Sequence, residues 1–120
     1  MKKILILLSF SFVSLFAFEH LTPGNFDEKI KGKNVIIDFY ATWCPPCKIL
    51  AKNLIEFDKE KTSNVEIFKV DIDQYMGLAK KYNVRSLPTL VYFKDGKLVT
   101  KEVGIKDKQE LTLNSINYFK

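Results

Sequence analysis

The sequence predicts an α/β protein in which helices flank a central mixed β-sheet, preceded by an N-terminal signal peptide. After an apolar leader, strand and helix patterns alternate in the order β-α-β-α-β-α-β-β-α. A crossover helix between two buried strand patterns implies that those strands are parallel. An Asp95-Gly96 turn between two late strand patterns adds an antiparallel hairpin.

Residues 1–17 have the pattern of a secretory signal peptide. Two lysines precede an uncharged apolar stretch, and Ala17 supplies a small residue at its end. The alternative is an uncleaved membrane anchor, but the apolar run Ile4–Phe18 is 15 residues long, whereas a spanning helix needs about 20. We therefore predict cleavage after Ala17 and export, with the bacterial periplasm as the expected compartment.

Residues 18–120 are predicted to form one domain. The 103 residues that remain without the leader suffice for a single core, and their formal net charge is +3. The lysines are scattered, so no basic run suggests a nucleic-acid partner. With only two cysteines, the chain is neither a disulfide-stapled mini-protein nor a four-cysteine zinc module. We expect a monomer.

The first half of this domain predicts an edge strand, a brief helix and a buried strand. Residues 18–21 form the edge strand, and Asn25 caps a helix that runs through Ile30. The run Val35–Tyr40 is β-branched and aromatic, which is typical of a strand covered on both faces. Asp38 in the middle of this run is therefore an unusual residue for its position.

The next helix begins at the segment Trp43-Cys44-Pro45-Pro46-Cys47 and runs to Glu60. Its first turn tolerates proline because the amides there have no intrahelical partner. Cys44 thus lies at the helix N-terminus and Cys47 about one turn inside. An apolar stripe at helical spacing predicts the buried face, which consists of Cys47, Leu50, Leu54 and Phe57.

The second half predicts a strand, a short helix, a hairpin and a final helix. The strand, the short helix and the two hairpin strands are Val65–Asp71, Tyr75–Tyr82, Thr89–Phe93 and Leu98–Val103. Asp107 and Glu110, three residues apart, predict a capping box at the start of the final helix.

The two cysteines carry the predicted chemistry. A helix N-terminus stabilises an anion, so it favours the thiolate form of Cys44, which is the attacking species in thiol–disulfide exchange. Cys47, deeper in the helix, is suited to resolve the mixed disulfide, and the pair can close a disulfide. The alternatives are inert core thiols or a metal site. Zinc prefers four ligands, and the chain adds only His20 and scattered carboxylates. We therefore predict no metal, with a site shared between two chains as the remaining alternative.

Four sequence blocks, in order and spacing, resemble the thioredoxin family over nearly the whole of residues 18–120. The blocks are Asp38-Phe39-Tyr40-Ala41, Trp43-Cys44-Pro45-Pro46-Cys47-Lys48, Val84-Arg85-Ser86-Leu87-Pro88-Thr89-Leu90, and Phe93-Lys94-Asp95-Gly96-Lys97 followed by Gly104. The resemblance implies a thioredoxin fold and an enzyme that exchanges disulfides with protein substrates and needs no cofactor.

The resemblance also implies roles for residues outside the cysteine pair. Asp38 matches the buried acid that accepts the proton of Cys47, burial should raise its pKa, and Lys69 matches the lysine near that acid. Pro88 matches the family's cis-proline, and Leu87 before it offers backbone hydrogen bonds to an extended substrate. The other predicted groove residues are Trp43, Val103 and Gly104. The ordinary alternatives are a surface charge for Asp38, a solvated lysine for Lys69, a turn proline for Pro88 and a core side chain for Trp43.

The direction of exchange is predicted from the residues between the cysteines. The family's common pair is Gly-Pro, whereas this chain has Pro45-Pro46. Strong oxidants of the fold place a histidine there, and this chain does not. We therefore expect an exported protein-disulfide reductase, supplied with electrons by a membrane donor or another redox partner. The alternatives are a disulfide oxidase or isomerase of the same fold, and a non-catalytic module that binds peptides.

Overall fold

The computed structural model describes residues 18–120, and its elements follow the predicted order. The predicted signal peptide, residues 1–17, lies outside the described residues, so the domain boundary stays a prediction. The elements are β1 (Glu19–His20), α1 (Phe26–Ile30), β2 (Asn34–Tyr40), α2 (Pro45–Glu60), β3 (Val65–Asp71), α3 (Met76–Lys81), β4 (Thr89–Lys94), β5 (Lys97–Val103) and α4 (Lys108–Tyr118). Within residues 18–120, no helix combines the length and apolar character needed to cross a bilayer.

The five strands form one mixed sheet in the order β1-β3-β2-β4-β5. Strands β1, β3 and β2 run parallel, whereas β4 pairs antiparallel with both β2 and β5. The prediction of a central mixed sheet is therefore confirmed. Strand β2 lies at its centre, and Val35–Phe39 are fully buried, as the apolar pattern predicts.

The two faces of the sheet carry different helices, and this places the cysteines. Helices α1 and α3 cover one face, on which Ile37 and Phe39 lie in the core. Helices α2 and α4 cover the other face, where Ile36 packs against the buried stripe of α2. Since side chains alternate along a strand, Asp38 and Tyr40 share the face of Ile36. The long helix that begins at the cysteines therefore covers the face that carries Asp38.

The predicted capping box and the predicted Asp-Gly turn are both confirmed. The Asp107–Glu110 capping box forms, with the Glu110 amide donating to Asp107 Oδ1 at 2.8 Å. The β4–β5 turn places both Asp95 and Gly96 at positive φ, 50° and 77°, which is why Asp-Gly is favoured there.

The expected side-chain cap at Asn25 is wrong. Asn25 has a helical backbone (φ −115°, ψ −2°) instead of the extended one that a capping side chain needs. Its Oδ1 instead accepts from the Thr22 amide at 2.8 Å. The Asn25 side chain therefore closes the turn before α1 and accepts no hydrogen bond from the first amides of the helix.

Candidate active site

The two cysteines form a disulfide at the N-terminus of α2, with their Cα atoms 5.3 Å apart. Cys44 is the N-cap residue, with an extended backbone, and the Cys47 amide donates to Cys44 Sγ at 3.2 Å. Pro45 and Pro46 occupy the first two helical positions and carry no N–H. Cys47 therefore supplies the first amide of the helix, and that amide is aimed at the sulfur of Cys44.

Burial alone does not distinguish the two cysteines in this oxidised state. Cys44 is 4% exposed and Cys47 is 3% exposed, so the expectation that Cys47 lies deeper is not visible in the exposed fractions. The contacts do distinguish them. Cys44 Sγ accepts the helical amide, whereas Cys47 helps line a pocket of about 250 Å³ that also contains Lys69.

Asp38 is a completely buried carboxyl group on β2, on the sheet face that α2 covers. Neither of its carboxylate oxygens has a hydrogen-bond partner among the described residues. The Lys69 ammonium lies 3.9 Å from Asp38 Oδ2, with its side chain only 16% exposed. Burial raises the pKa of Asp38 to about 7, against the opposing pull of Lys69. The site thus holds a carboxyl group that changes protonation near neutral pH.

The residues predicted to form the groove lie on three segments next to the disulfide. The Leu87–Pro88 peptide bond is cis, and Leu87 packs against the cluster that contains both cysteines. The Gly104 amide donates to the Pro88 carbonyl at 2.9 Å, which ties the end of β5 to this loop. Val103 is 58% exposed and Trp43 is 66% exposed. Two large apolar side chains at this end of the molecule are therefore open to solvent.

Asp73 is a residue of the site that no pattern in the sequence predicts. Its Oδ2 accepts from the Trp43 indole Nε1 at 2.8 Å, and its own amide donates to Asp71 Oδ1 at 2.9 Å. The contact fixes the indole although most of the ring is exposed. Thirty residues separate the partners, and no local pattern in the sequence links them.

No metal-binding cluster is found in the part of the chain that the structure describes. There, no group of three or more His, Cys, Asp and Glu side chains is placed to hold an ion. His20 instead contacts Tyr40: its Nε2 lies 2.7 Å from the Tyr40 hydroxyl oxygen, which is hydrogen-bond distance.

Comparison with known proteins gives one consistent result. The family model described as Thioredoxin matches residues 17–116. The chain is 43% identical over 91 residues to a thioredoxin of Staphylococcus haemolyticus, a match that covers 76% of this chain and 88% of that protein. A thioredoxin of Staphylococcus aureus is 42% identical with the same coverage.

A solved structure agrees at the level of the fold and the sequence. The oxidised form of mitochondrial thioredoxin 3 from Saccharomyces cerevisiae is similar to this chain, with a TM-score of 0.77 and 32% identity. The match covers 86% of this chain and 97% of that one.

Proposed function

This chain belongs to the thioredoxin family, and we propose that it is an exported protein-disulfide reductase that acts through Cys44 and Cys47. Its family and its cysteine pair make it a protein thiol–disulfide oxidoreductase. The observation that carries the proposed mechanism is the exchangeable disulfide at the start of α2, on the same sheet face as a buried, unpartnered Asp38. The reducing direction and the export are the parts that we propose.

The first proposed step is attack by the reduced protein on a substrate disulfide. The Cys44 thiolate attacks one substrate sulfur, the substrate S–S bond breaks, and a disulfide forms between Cys44 and the substrate. The other substrate sulfur leaves as a thiolate and takes up a proton. The Cys47 amide and the N-terminus of α2 stabilise the negative charge on Cys44 before the attack.

The second proposed step releases the substrate. Cys47 gives its proton to Asp38, and its thiolate attacks Cys44 Sγ. The mixed disulfide breaks, the Cys44–Cys47 disulfide forms, and the second substrate sulfur leaves as a thiolate that is protonated in turn. The substrate thus gains two electrons and two protons. Since the pKa of Asp38 is about 7, the carboxylate is a base of suitable strength for this transfer at neutral pH.

The groove residues would hold the substrate during these steps. Leu87 supplies backbone groups to an extended substrate segment, and Trp43 and Val103 supply exposed apolar surface beside it. Gly104 lies at positive φ, 97°, a conformation that a side chain disfavours. The hydrogen bond that its amide donates to the Pro88 carbonyl holds the end of β5 against the loop that contains Leu87 and Pro88.

The residues between the cysteines support the reducing direction. A strong oxidant of this fold owes its potential to a stabilised thiolate form. In this chain, Pro45 and Pro46 donate no amide hydrogen bond, so the Cys47 amide is the backbone donor to Cys44 Sγ. A less stabilised thiolate favours the oxidised protein, which makes the reduced protein a stronger reductant. A two-electron donor, which we propose to be a membrane-held dithiol or another redox partner, must then restore the dithiol.

One experiment tests export and direction together. In intact cells that express the full chain, free thiols are first blocked with membrane-permeant N-ethylmaleimide. The protein is then recovered from the periplasmic and the membrane fractions for intact-mass analysis. We expect a chain that begins at Phe18 and carries two adducts, because a reductase is kept reduced in the cell. The chain has only two cysteines, so the adducts report on this couple alone.

A Cys44→Ser, Cys47→Ser double variant is the matched control and should carry no adduct. A periplasmic protein without adducts would contradict the reducing direction. A protein of the membrane fraction whose mass retains residues 1–17 would contradict cleavage and indicate a membrane-anchored domain.

A further inference from the structure

Three polar side chains lie in one row across the parallel half of the sheet. His20 of β1 pairs in register with Lys69 of β3, and Lys69 pairs in register with Asp38 of β2. Paired residues project from the same face of a sheet, and Tyr40, two residues after Asp38, projects from it as well. The sheet therefore brings a histidine, a lysine, an aspartate and a tyrosine together on the face that α2 covers.

The Lys69 ammonium lies between an aromatic ring and the buried carboxylate. Its Nζ is 4.4 Å from the centroid of the Tyr40 ring and 3.9 Å from Asp38 Oδ2. The second distance is too long for a hydrogen bond, so Asp38 attracts Lys69 without fixing its direction. The ring of Tyr40 is the contact that confines the ammonium.

The Tyr40 ring is in turn held from the edge strand. Its hydroxyl lies 2.7 Å from His20 Nε2, and the two rings meet edge to face with centroids 5.7 Å apart. His20 is on β1, a strand of only two residues. A contact chain thus runs from the edge of the sheet through Tyr40 and Lys69 to Asp38.

We propose that Tyr40 and His20 are positioning residues that hold the Lys69 ammonium beside Asp38. The inference rests on the proposed role of Asp38 as proton acceptor. It goes beyond that role because it makes the proton affinity of this acid depend on two further residues: Tyr40, which packs against the cluster that contains both cysteines, and His20 on the edge strand. Without the Tyr40 ring, Lys69 can turn into the solvent-open pocket that it lines with Tyr40 and Cys47.

The charges around Asp38 explain why the position of Lys69 matters. Burial raises the pKa of Asp38, and the Lys69 charge lowers it. The other titratable or charged groups on the surrounding elements are His20 on β1, Tyr40 on β2, Asp71 at the end of β3, Cys47 and Lys48 on α2, Tyr92 on β4, and Glu102 on β5, which pairs in register with Leu90. Leu90, the partner of Asp38 on β4, is apolar. Lys69 is thus the cation within ion-pair distance of Asp38, and its displacement raises the pKa of the acid.

The test is a ¹³C NMR titration of the Asp38 carboxyl carbon in the oxidised protein, where the disulfide removes both thiols from the titration. Asp38→Asn identifies the resonance, and Lys69→Met gives the largest upward shift. We expect Tyr40→Leu to raise the pKa of Asp38 by about half a unit, the size of one cation–π contact. Tyr40→Phe and His20→Ala each remove the same hydrogen bond, so each should raise the pKa of Asp38 by less than Tyr40→Leu does. The double variant should raise this pKa no more than either single variant.

Tyr82→Phe is the matched control, because Tyr82 carries Lys81 over its ring at 5.4 Å but packs in the core on the other face. It should leave the titration of Asp38 unchanged. If Lys69→Met shifts Asp38 while the Tyr40 and His20 variants do not, the positioning proposal is wrong. If Lys69→Met causes no shift either, the ion pair itself is contradicted and the proposal fails with it. Insulin reduction by the wild type is measured separately, so either failure is distinguishable from a failure of the reductase function.

Discussion

The Cys44→Ser protein is expected to reduce insulin disulfides at least ~1000-fold more slowly than the wild type, because an un-ionised hydroxyl cannot replace the thiolate nucleophile. The substitution should not disturb the fold. Serine is a good N-cap, and its oxygen can accept the Cys47 amide that Cys44 Sγ accepts now. The measurement is the initial rate of insulin precipitation with a small dithiol as electron source, after subtraction of the uncatalysed rate.

Cys47→Ser is the informative control for this experiment. It keeps the attacking thiol and loses the resolving one, so it should stall as a one-to-one mixed disulfide through Cys44 that a small dithiol releases. The Cys44→Ser protein should form no mixed disulfide at position 44, because serine has no sulfur. A Cys44→Ser protein with the wild-type rate would show that the dithiol is incidental and would favour a peptide-binding module.

The Asp38→Asn protein is expected to be more stable than the wild type at pH 8 by about 4 kcal/mol, and equally stable below about pH 4. In the unfolded chain Asp38 loses its proton near 3.8, whereas in the folded protein burial raises its pKa to about 7. Between these values the folded state binds more protons, so the stability of the wild type falls as the pH rises through this range. About three pKa units correspond to about 4 kcal/mol, and asparagine escapes this loss because it stays neutral.

Denaturant unfolding of the oxidised proteins at several pH values from 4 to 8 measures the effect. Asp27→Asn is the matched control, since the Asp27 side chain is 83% exposed on α1; it should show no comparable dependence on pH. A stabilisation by Asp38→Asn of the same size at pH 4 and pH 8 would mean that packing causes it, and would contradict a raised pKa for this acid.

The parts of the fold that depend on neighbouring residues could be predicted from the sequence. The apolar run of β2 predicts a strand buried on both faces, and Val35–Phe39 are buried in the structure. The Asp107–Glu110 spacing predicts a capping box that forms. The sequence also predicts Cys44 at the start of a helix, and it is the N-cap of α2. Each of these signals is contained in a few consecutive residues, so it can be recognised without knowledge of the tertiary contacts.

Contacts between distant segments could not be predicted in this way. The Trp43–Asp73 hydrogen bond and the contact of Tyr40 with His20 join segments that are 30 and 20 residues apart in the sequence. The register of the sheet, which emerges only when all strands pair, places them together. The role of the Asn25 side chain could not be predicted either, although its partners are near in the sequence. Whether it caps α1 or closes the preceding turn depends on the backbone angles of Asn25.

The equilibrium potential of the Cys44–Cys47 couple decides whether this protein is a reductant. The protein is equilibrated with glutathione buffers of defined ratio, quenched in acid, alkylated and separated into its dithiol and disulfide forms. We expect a potential near −270 mV, the value of a reducing thioredoxin. A value near −120 mV, as in the strong oxidant DsbA, would contradict the reductase function and favour a disulfide oxidase.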